Sequence, residues 1–169
     1  MQALRVRRAT TSDASALASL ATETFTQTWQ DLVPATDGAG YCATAFSPEA
    51  LHNDLDQPAV CYLVLDGSVG LAGYARLSWG LAPPPPLAFP HPALLDRFYL
   101  QSTWHGTGAA QTLLQAVYER ARDYGIETLW LCHHPSSERA GRVYHDVILF
   151  RGTRDAGTEK RSQIKEAVI

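Results

Sequence analysis

One junction in this 169-residue chain combines residue types and spacing that suit chemistry: Leu94-Leu95-Asp96-Arg97-Phe98-Tyr99-Leu100-Gln101-Ser102-Thr103-Trp104-His105-Gly106-Thr107-Gly108-Ala109-Ala110. An apolar strand pattern runs into a glycine-bearing turn, and the turn runs into an amphipathic helical pattern. The first N–H groups of a helix have no partner inside it, and they face the preceding turn with the positive end of the helix dipole. That combination binds a phosphate or pyrophosphate. Gly106 and Gly108 let a ligand approach the main chain, and the small Ala109 and Ala110 do not obstruct it. In isolation the His-Gly-Thr-Gly-Ala-Ala text reads as a helix-starting turn that happens to hold two glycines. It lacks the Gly-Lys-Ser/Thr ending of a P-loop and the spacing of a dinucleotide fingerprint.

Other reactive residues point to less. Cys132-His133-His134 has metal-ligating types, but a metal needs a converging third or fourth ligand, and adjacent strand residues face opposite ways. No metal is expected. Cys42, Cys61 and Cys132 are odd in number and form no Cys-x-x-Cys, so free thiols are expected rather than disulfides or zinc. Trp29, Tyr41, Phe46, Trp79 and Trp104 are candidate pocket walls, with core packing as the plainer alternative for each.

The elements around the junction follow from periodicity. Leu4 to Arg8 alternates as a short strand. Thr11 caps a helix with Asp13 in its first turn and Ala14, Leu17, Ala18, Ala21 and Phe25 on one face, ending near Trp29. Val33 to Tyr41 holds Pro34, Gly38 and Gly40 and reads as loop. Ser47-Pro48-Glu49 starts a helix that Pro58 ends. Val60 to Leu65 is a buried strand, and Asp66-Gly67-Ser68 turns it into its partner, Val69 to Trp79, whose Gly73 marks a bulge or a close backbone approach. The prolines from Pro83 to Pro92 form a stiff surface loop. Ala93 to Leu100 is a strand, and Ala110, Leu113, Leu114, Val117, Tyr118, Ala121 and Tyr124 stripe a helix that Gly125 closes. A strand at Glu127 to Cys132, a helix opened by Ser136 or Ser137, and a strand at Val147 to Phe150 complete the pattern; the tail from Thr153 to Ile169 carries no clear element. The order β-α-α-β-β-β-α-β-α-β implies an α/β chain with a mixed, mostly antiparallel sheet and helices on both faces.

Apolar residues make up 46% and charged residues 18%, with a net charge of −3, which fits one globular domain over residues 1–169 and argues against a nucleic-acid partner. The first residues hold no apolar run of signal-peptide length and no stretch suits a membrane span, so a cytoplasmic protein is expected.

From Phe98 to Tyr144 the text resembles the GCN5-related N-acetyltransferase (GNAT) superfamily. The family pattern Q/R-x-x-G-x-G/A falls on His105, Gly106, Thr107, Gly108, Ala109 and Ala110, with His105 in place of the usual Gln or Arg. Arg97-Phe98-Tyr99-Leu100 before the turn, Leu129-Trp130-Leu131 after the helix and Ser137-Glu138-Arg139-Ala140-Gly141-Arg142-Val143-Tyr144 also fit, as does the opening Arg7, Ala9 and Asp13. After Tyr144 the usual Gly-Phe pair is missing.

The resemblance implies acetyl-CoA as co-substrate and an unidentified amine as acceptor, with a homodimer common among similar proteins. It places the pantetheine arm along Phe98, Tyr99 and Leu100, and the pyrophosphate on the amides from Gly106 to Ala110. Ser137 stands where an Asn usually contacts the cofactor arm. Tyr144 matches the tyrosine that hydrogen-bonds the departing thiolate; packing a helix onto the sheet is its structural alternative. The position of the usual strand Glu is Leu94, and Asp96, two residues on, could serve as base through water or stand as a solvated or Arg-paired carboxylate. Two functions follow: an N-acetyltransferase acting by direct amine attack on the thioester, or an acyl-CoA-binding module that transfers little or nothing. An unrelated phosphate-binding α/β domain is the third reading.

Overall fold

The computed structural model describes residues 4–83, 88–131, 147–151 and 162–164. Among the described residues seven strands, β1 (Arg5–Arg8), β2 (Val60–Asp66), β3 (Leu71–Trp79), β4 (Pro92–Leu100), β5 (Thr128–Trp130), β6 (Val147–Arg151) and β7 (Ser162–Ile164), follow one another in sequence order in the sheet. The helices are α1 (Ala14–Trp29), α2 (Ala35–Ala45), α3 (Pro48–Leu55) and α4 (Ala109–Asp123). β1 runs antiparallel to β2, β5 to β6 and β6 to β7. The tight turn after Asp66 folds β3 back along β2, with the Gly67 N–H donating to the Gly70 carbonyl at 2.8 Å. β4 pairs parallel with β5 only over Pro92–Leu94 among the described residues, and runs on to Leu100. The mixed, mostly antiparallel sheet is the one the element order implies.

The chain clusters into two compact units: Met1–Arg76 with Arg97–Val117, and Leu77–Asp96 with Tyr118–Ile169. In the first, the side chains of β2 separate by alternation. Tyr62 and Val64 pack with Leu17, Ala21 and Leu51 of α1 and α3, while Leu65 packs with Ala109 of α4. Local signals explain the ends. Ser47 caps α3 by accepting the Ala50 N–H at 3.1 Å, with Pro48 in the first turn. The Thr10 N–H donates to the Asp13 carboxylate at 2.8 Å, so the cap lies one residue before the expected Thr11, and a 3-10 turn, Thr11–Asp13, precedes α1. Gly125 closes α4 with φ +67°.

Two elements correct the sequence reading. Residues 35–41, inside the stretch expected as loop, belong to α2, which runs on to Ala45. Gly38 and Gly40 each cost about 1 kcal/mol in a helix interior, but Tyr41, Cys42 and Phe46 anchor the segment. Tyr41 stacks on Phe25 at 4.8 Å, Phe46 meets Phe25 edge-on at 5.7 Å, and Cys42 is buried. The tail also holds an element that its polar text did not suggest: β7 pairs with β6 through Val147–Ile164, Ile148–Gln163 and Leu149–Ser162. The expected helix at Ser136 or Ser137 lies outside the described residues.

Candidate functional site

β4 carries the chain into the candidate site. The Gln101 N–H donates to the Ala72 carbonyl at 2.9 Å and pins the strand end to β3. This approach is close because position 73 is glycine: a Cβ there would lie 2.8 Å from the Tyr99 carbonyl oxygen and would also collide with the Leu100 side chain. The glycine expected to mark a bulge or a close approach marks the approach of β4's end.

A 3-10 turn, Ser102–Trp104, then lifts the chain toward α4. The His105 N–H is spent on the Ser102 carbonyl at 3.1 Å, and the Thr107 hydroxyl donates to the Trp104 carbonyl at 2.8 Å. Gly106 and Gly108 take φ +76° and +87°, conformations that L side chains rarely adopt. Among the described residues no atom lies within 4 Å of where a Gly106 Cβ would stand. The Thr112 N–H donates to the Gly108 carbonyl at 3.1 Å, so the amides of Ala109, Ala110 and Gln111 precede the helical ladder. Ala109 is fully buried, packed with Leu65 and Ala72, and fixes the helix start, whereas His105, Gly106 and Thr107 are exposed. These residues can cradle a pyrophosphate with main-chain donors, and His105 offers an exposed side chain beside it.

The other predicted residues divide. Phe98, Tyr99 and Leu100 are half-buried at the end of β4. The Tyr99 ring stacks on Tyr74 at 5.7 Å, and its hydroxyl accepts the Trp29 indole N–H at 3.3 Å. Leu100 packs with Trp104 against Leu65 and Ala109. Asp96 is exposed, in the stretch of β4 that belongs to the second unit. Tyr144, Ser137 and the Cys132-His133-His134 run lie outside the described residues. Of the candidate wall residues, Trp29, Tyr41 and Phe46 join Phe25 in one aromatic group, with Phe25 and Trp29 6.1 Å apart. Trp79 instead meets Tyr124 in a tilted pair at 4.6 Å, and Trp104 packs against Leu65, Ala72 and Ala109. Among the described residues no three His, Cys, Asp or Glu side chains converge as a metal would require.

One constellation in the first unit escaped the sequence reading. The Tyr62 hydroxyl donates to Asp54 at 2.6 Å, Arg76 holds the same carboxylate with two bonds of 2.7 and 2.8 Å, and Arg97 Nη1 donates to the Tyr62 hydroxyl at 2.8 Å. Arg97 lies over the Phe46 ring at 4.8 Å. The partner of Arg97 is a phenol. Burial works to raise the Asp54 pKa, but bonds from Arg76 and Tyr62 outweigh it and lower it. Burial pushes the Tyr62 and Tyr74 phenols well up, so both stay protonated near neutral pH. Burial works to lower the Arg97 pKa, but interaction with Tyr62, Tyr74 and Tyr41 outweighs it and raises it. The available signal was alternation: Arg97 shares a strand face with Leu95 and Tyr99.

Comparison with known proteins places this geometry. The profile of the acetyltransferase (GNAT) family matches residues 15–147. An uncharacterised N-acetyltransferase of Mycobacterium tuberculosis strain H37Rv is 29% identical over 133 residues, covering 79% of this chain and 80% of the relative. The crystal structure of the PaiA N-acetyltransferase of Thermoplasma acidophilum in complex with coenzyme A superposes with a TM-score of 0.74 at 18% identity, covering 85% of this chain and 87% of that one. The aminoglycoside acetyltransferase AAC(6')-Iy with a bisubstrate analogue gives a TM-score of 0.64 at 13% identity, over 95% of this chain and 100% of that one. At these identities the two structures show the shared fold.

Proposed function

Because the chain belongs to the acetyltransferase (GNAT) family, we propose that it transfers an acetyl group from acetyl-CoA to a primary amine by direct attack of the amine on the thioester. The observation that carries this reading is the α4 entry: two glycines with positive φ shape an exposed turn, Gly106 and Thr107, before the first amides of α4, at the end of a strand that can receive the pantetheine arm. In this reading residues 1–169 serve as one acyltransferase domain. The relatives' names as N-acetyltransferases and the coenzyme A in the PaiA structure support the donor.

The residues then take these roles. The amides from Gly106 to Ala110 hold the pyrophosphate, and Phe98, Tyr99 and Leu100 line the pantetheine. Acetyl-CoA supplies an activated acyl carbon with a thiolate as leaving group. The amine must be neutral to attack, so a proton leaves it first, with Asp96 through water as the proposed acceptor. A strand N–H near Leu100 stabilises the negative charge that develops on the acetyl oxygen. Tyr144 donates to the departing thiolate. Tyr62 and Tyr74 are held protonated and are excluded as bases at neutral pH.

Calorimetric titration of acetyl-CoA into the wild type, Gly106→Trp and Gly108→Trp tests the cofactor site. A side chain at Gly106 meets no atom of the described residues within 4 Å, so an indole there covers the amides without a packing clash, at the cost of backbone strain from φ +76°. The expected result is saturable binding by the wild type, lost in both folded variants, with thiol release from acetyl-CoA in the presence of an amine panel. Folded wild type that binds no acetyl-CoA refutes the reading; binding without transfer to any amine leaves an acyl-CoA-binding module.

A further inference from the structure

α1 reaches the end of β4 through two side-chain bonds. The Trp29 indole N–H donates to the Tyr99 hydroxyl at 3.3 Å, and the Gln101 amide Nε2 donates to Glu23 Oε2 at 3.1 Å. Tyr99 and Gln101 both turn toward α1, while Leu100 between them packs with Trp104. All of these residues belong to the first compact unit. Glu23 is exposed, and both of its oxygens are held. Gln27, one helical turn on, donates to Oε1 at 3.2 Å, and Gln101 holds Oε2. Both donors are neutral amides, so they orient the carboxylate and leave its charge in place.

No cationic side chain stands within ion-pair distance of Glu23 among the described residues. Three other carboxylates of the unit do meet one: Asp13 and Asp66 share Arg7, and Asp54 holds Arg76. Arg97 precedes Gln101 by four residues, roughly 13 Å of strand. The anchor of Glu23 is fixed, because the Gln101 N–H is bonded to the Ala72 carbonyl at 2.9 Å and its side chain extends from a pinned main chain. The place matters as much as the charge. Gln101 directly follows Leu100, whose strand N–H is given the acetyl oxygen above, and directly precedes the turn toward the pyrophosphate site. A carboxylate one Gln side chain and one hydrogen bond from that point borders the approach to the thioester from the α1 side.

We propose that Glu23 receives the acceptor amine in its ammonium form at the end of β4, before its proton leaves. This rests on the transferase reading above. An aliphatic amine arrives as a cation at neutral pH, with three N–H donors. Each carboxylate oxygen can accept more than the one amide bond it already takes, so the ammonium group adds to the arrangement without breaking it. The acceptor class that follows is an aliphatic amine rather than an arylamine, which is neutral at the same pH and brings no charge to the carboxylate. Glu23 acts on binding, so its loss is read in Kd and KM.

The test uses the full chain and isomeric pairs that differ in charge at neutral pH: benzylamine against 4-methylaniline, and phenethylamine against 4-ethylaniline. Calorimetric titration into CoA-saturated protein gives Kd, and thiol release from acetyl-CoA gives KM. The wild type is expected to bind the aliphatic member of at least one pair more tightly. In Glu23→Gln, Kd and KM for that member rise about three- to tenfold, the scale of one partly exposed charge pair, while those for its arylamine isomer hold. Glu23→Asp, which keeps the charge and shortens the reach, falls between. Circular dichroism establishes that each variant is folded. Equal losses for both isomers, unchanged values in Glu23→Gln, or a wild type that prefers the arylamines overturn the inference, and thiol release with any amine then leaves the transferase reading standing. A wild type that binds aliphatic amines through Glu23 and acetylates none supports the inference while the transferase reading falls. One that neither binds nor acetylates any of these amines overturns both.

Discussion

Gly73→Ala isolates the contact that holds β4's end in place. The backbone at Gly73 is not in the positive-φ group, so alanine fits its conformation and the effect is steric. The new Cβ would stand 2.8 Å from the Tyr99 carbonyl oxygen, where ordinary contact begins at 3.4 Å. β3 and β4 must therefore part by about 0.6 Å. The Leu100 methyl can rotate away, but a main-chain carbonyl in a sheet cannot. Overpacking of this kind costs about 1–3 kcal/mol, offset by roughly 0.4–1 kcal/mol from a less flexible unfolded chain. The net loss of about 1–2 kcal/mol corresponds to a Tm lower by ~2–8 °C for a chain of this size. Tyr99 and Leu100 lead directly into the turn, so acetyl-CoA affinity should fall as well. Gly40→Ala is the counterpart. It lies in α2, with nothing within 4 Å of a new Cβ. It should gain about 1 kcal/mol from helix propensity and leave acetyl-CoA binding unchanged. Thermal unfolding followed by circular dichroism, with calorimetric titration of acetyl-CoA, measures both variants. A Gly73→Ala protein as stable as the wild type, with undiminished affinity, would refute the steric argument.

Ser47→Ala removes the acceptor for the Ala50 N–H and should cost about 1 kcal/mol, seen as a Tm lower by ~2–4 °C; no change would mean that Pro48 alone sets the start of α3. The Asp13 carboxylate is held at about 2, against an ordinary 3.8, mainly by its hydrogen bond from Arg7. A depressed carboxylate contributes stability above its unfolded value and loses it as pH falls through its folded value. Chemical denaturation should therefore show a stability gap between wild type and Asp13→Asn that is full at neutral pH and closes between about pH 4 and pH 2. A gap that does not vary with pH would separate Asp13 from acid unfolding.

Much of the site was legible because its signals are local. Gly106 and Gly108 sit between an apolar strand pattern and an amphipathic helix, and a positive φ at both follows from what glycine alone tolerates. Gly73 likewise announced a close approach from within a strand. What was not legible depended on residues far apart in the chain. The hydroxyl partner of Arg97, Tyr62, lies 35 positions away. For Trp79 and Trp104 the sequence left pocket wall and core packing side by side, because aromatic type alone does not say which core a ring enters; both pack.

By itself the sequence determined the elements whose ends are chemical: the Ser47-Pro48 start of α3, the Asp66-Gly67 turn, the strand–turn–helix at Leu100 to Ala110, and the Gly125 stop. Each follows from a cap, a φ preference or a missing N–H within a few residues. Tertiary structure alone decided α2, whose two glycines oppose a helix until Tyr41, Cys42 and Phe46 find Phe25 and the core. It also decided β7, a polar segment made a strand by the backbone of β6. And it decided what surrounds Arg97, because the hydroxyl and the ring that an arginine meets are fixed by packing between α2, α3 and the sheet.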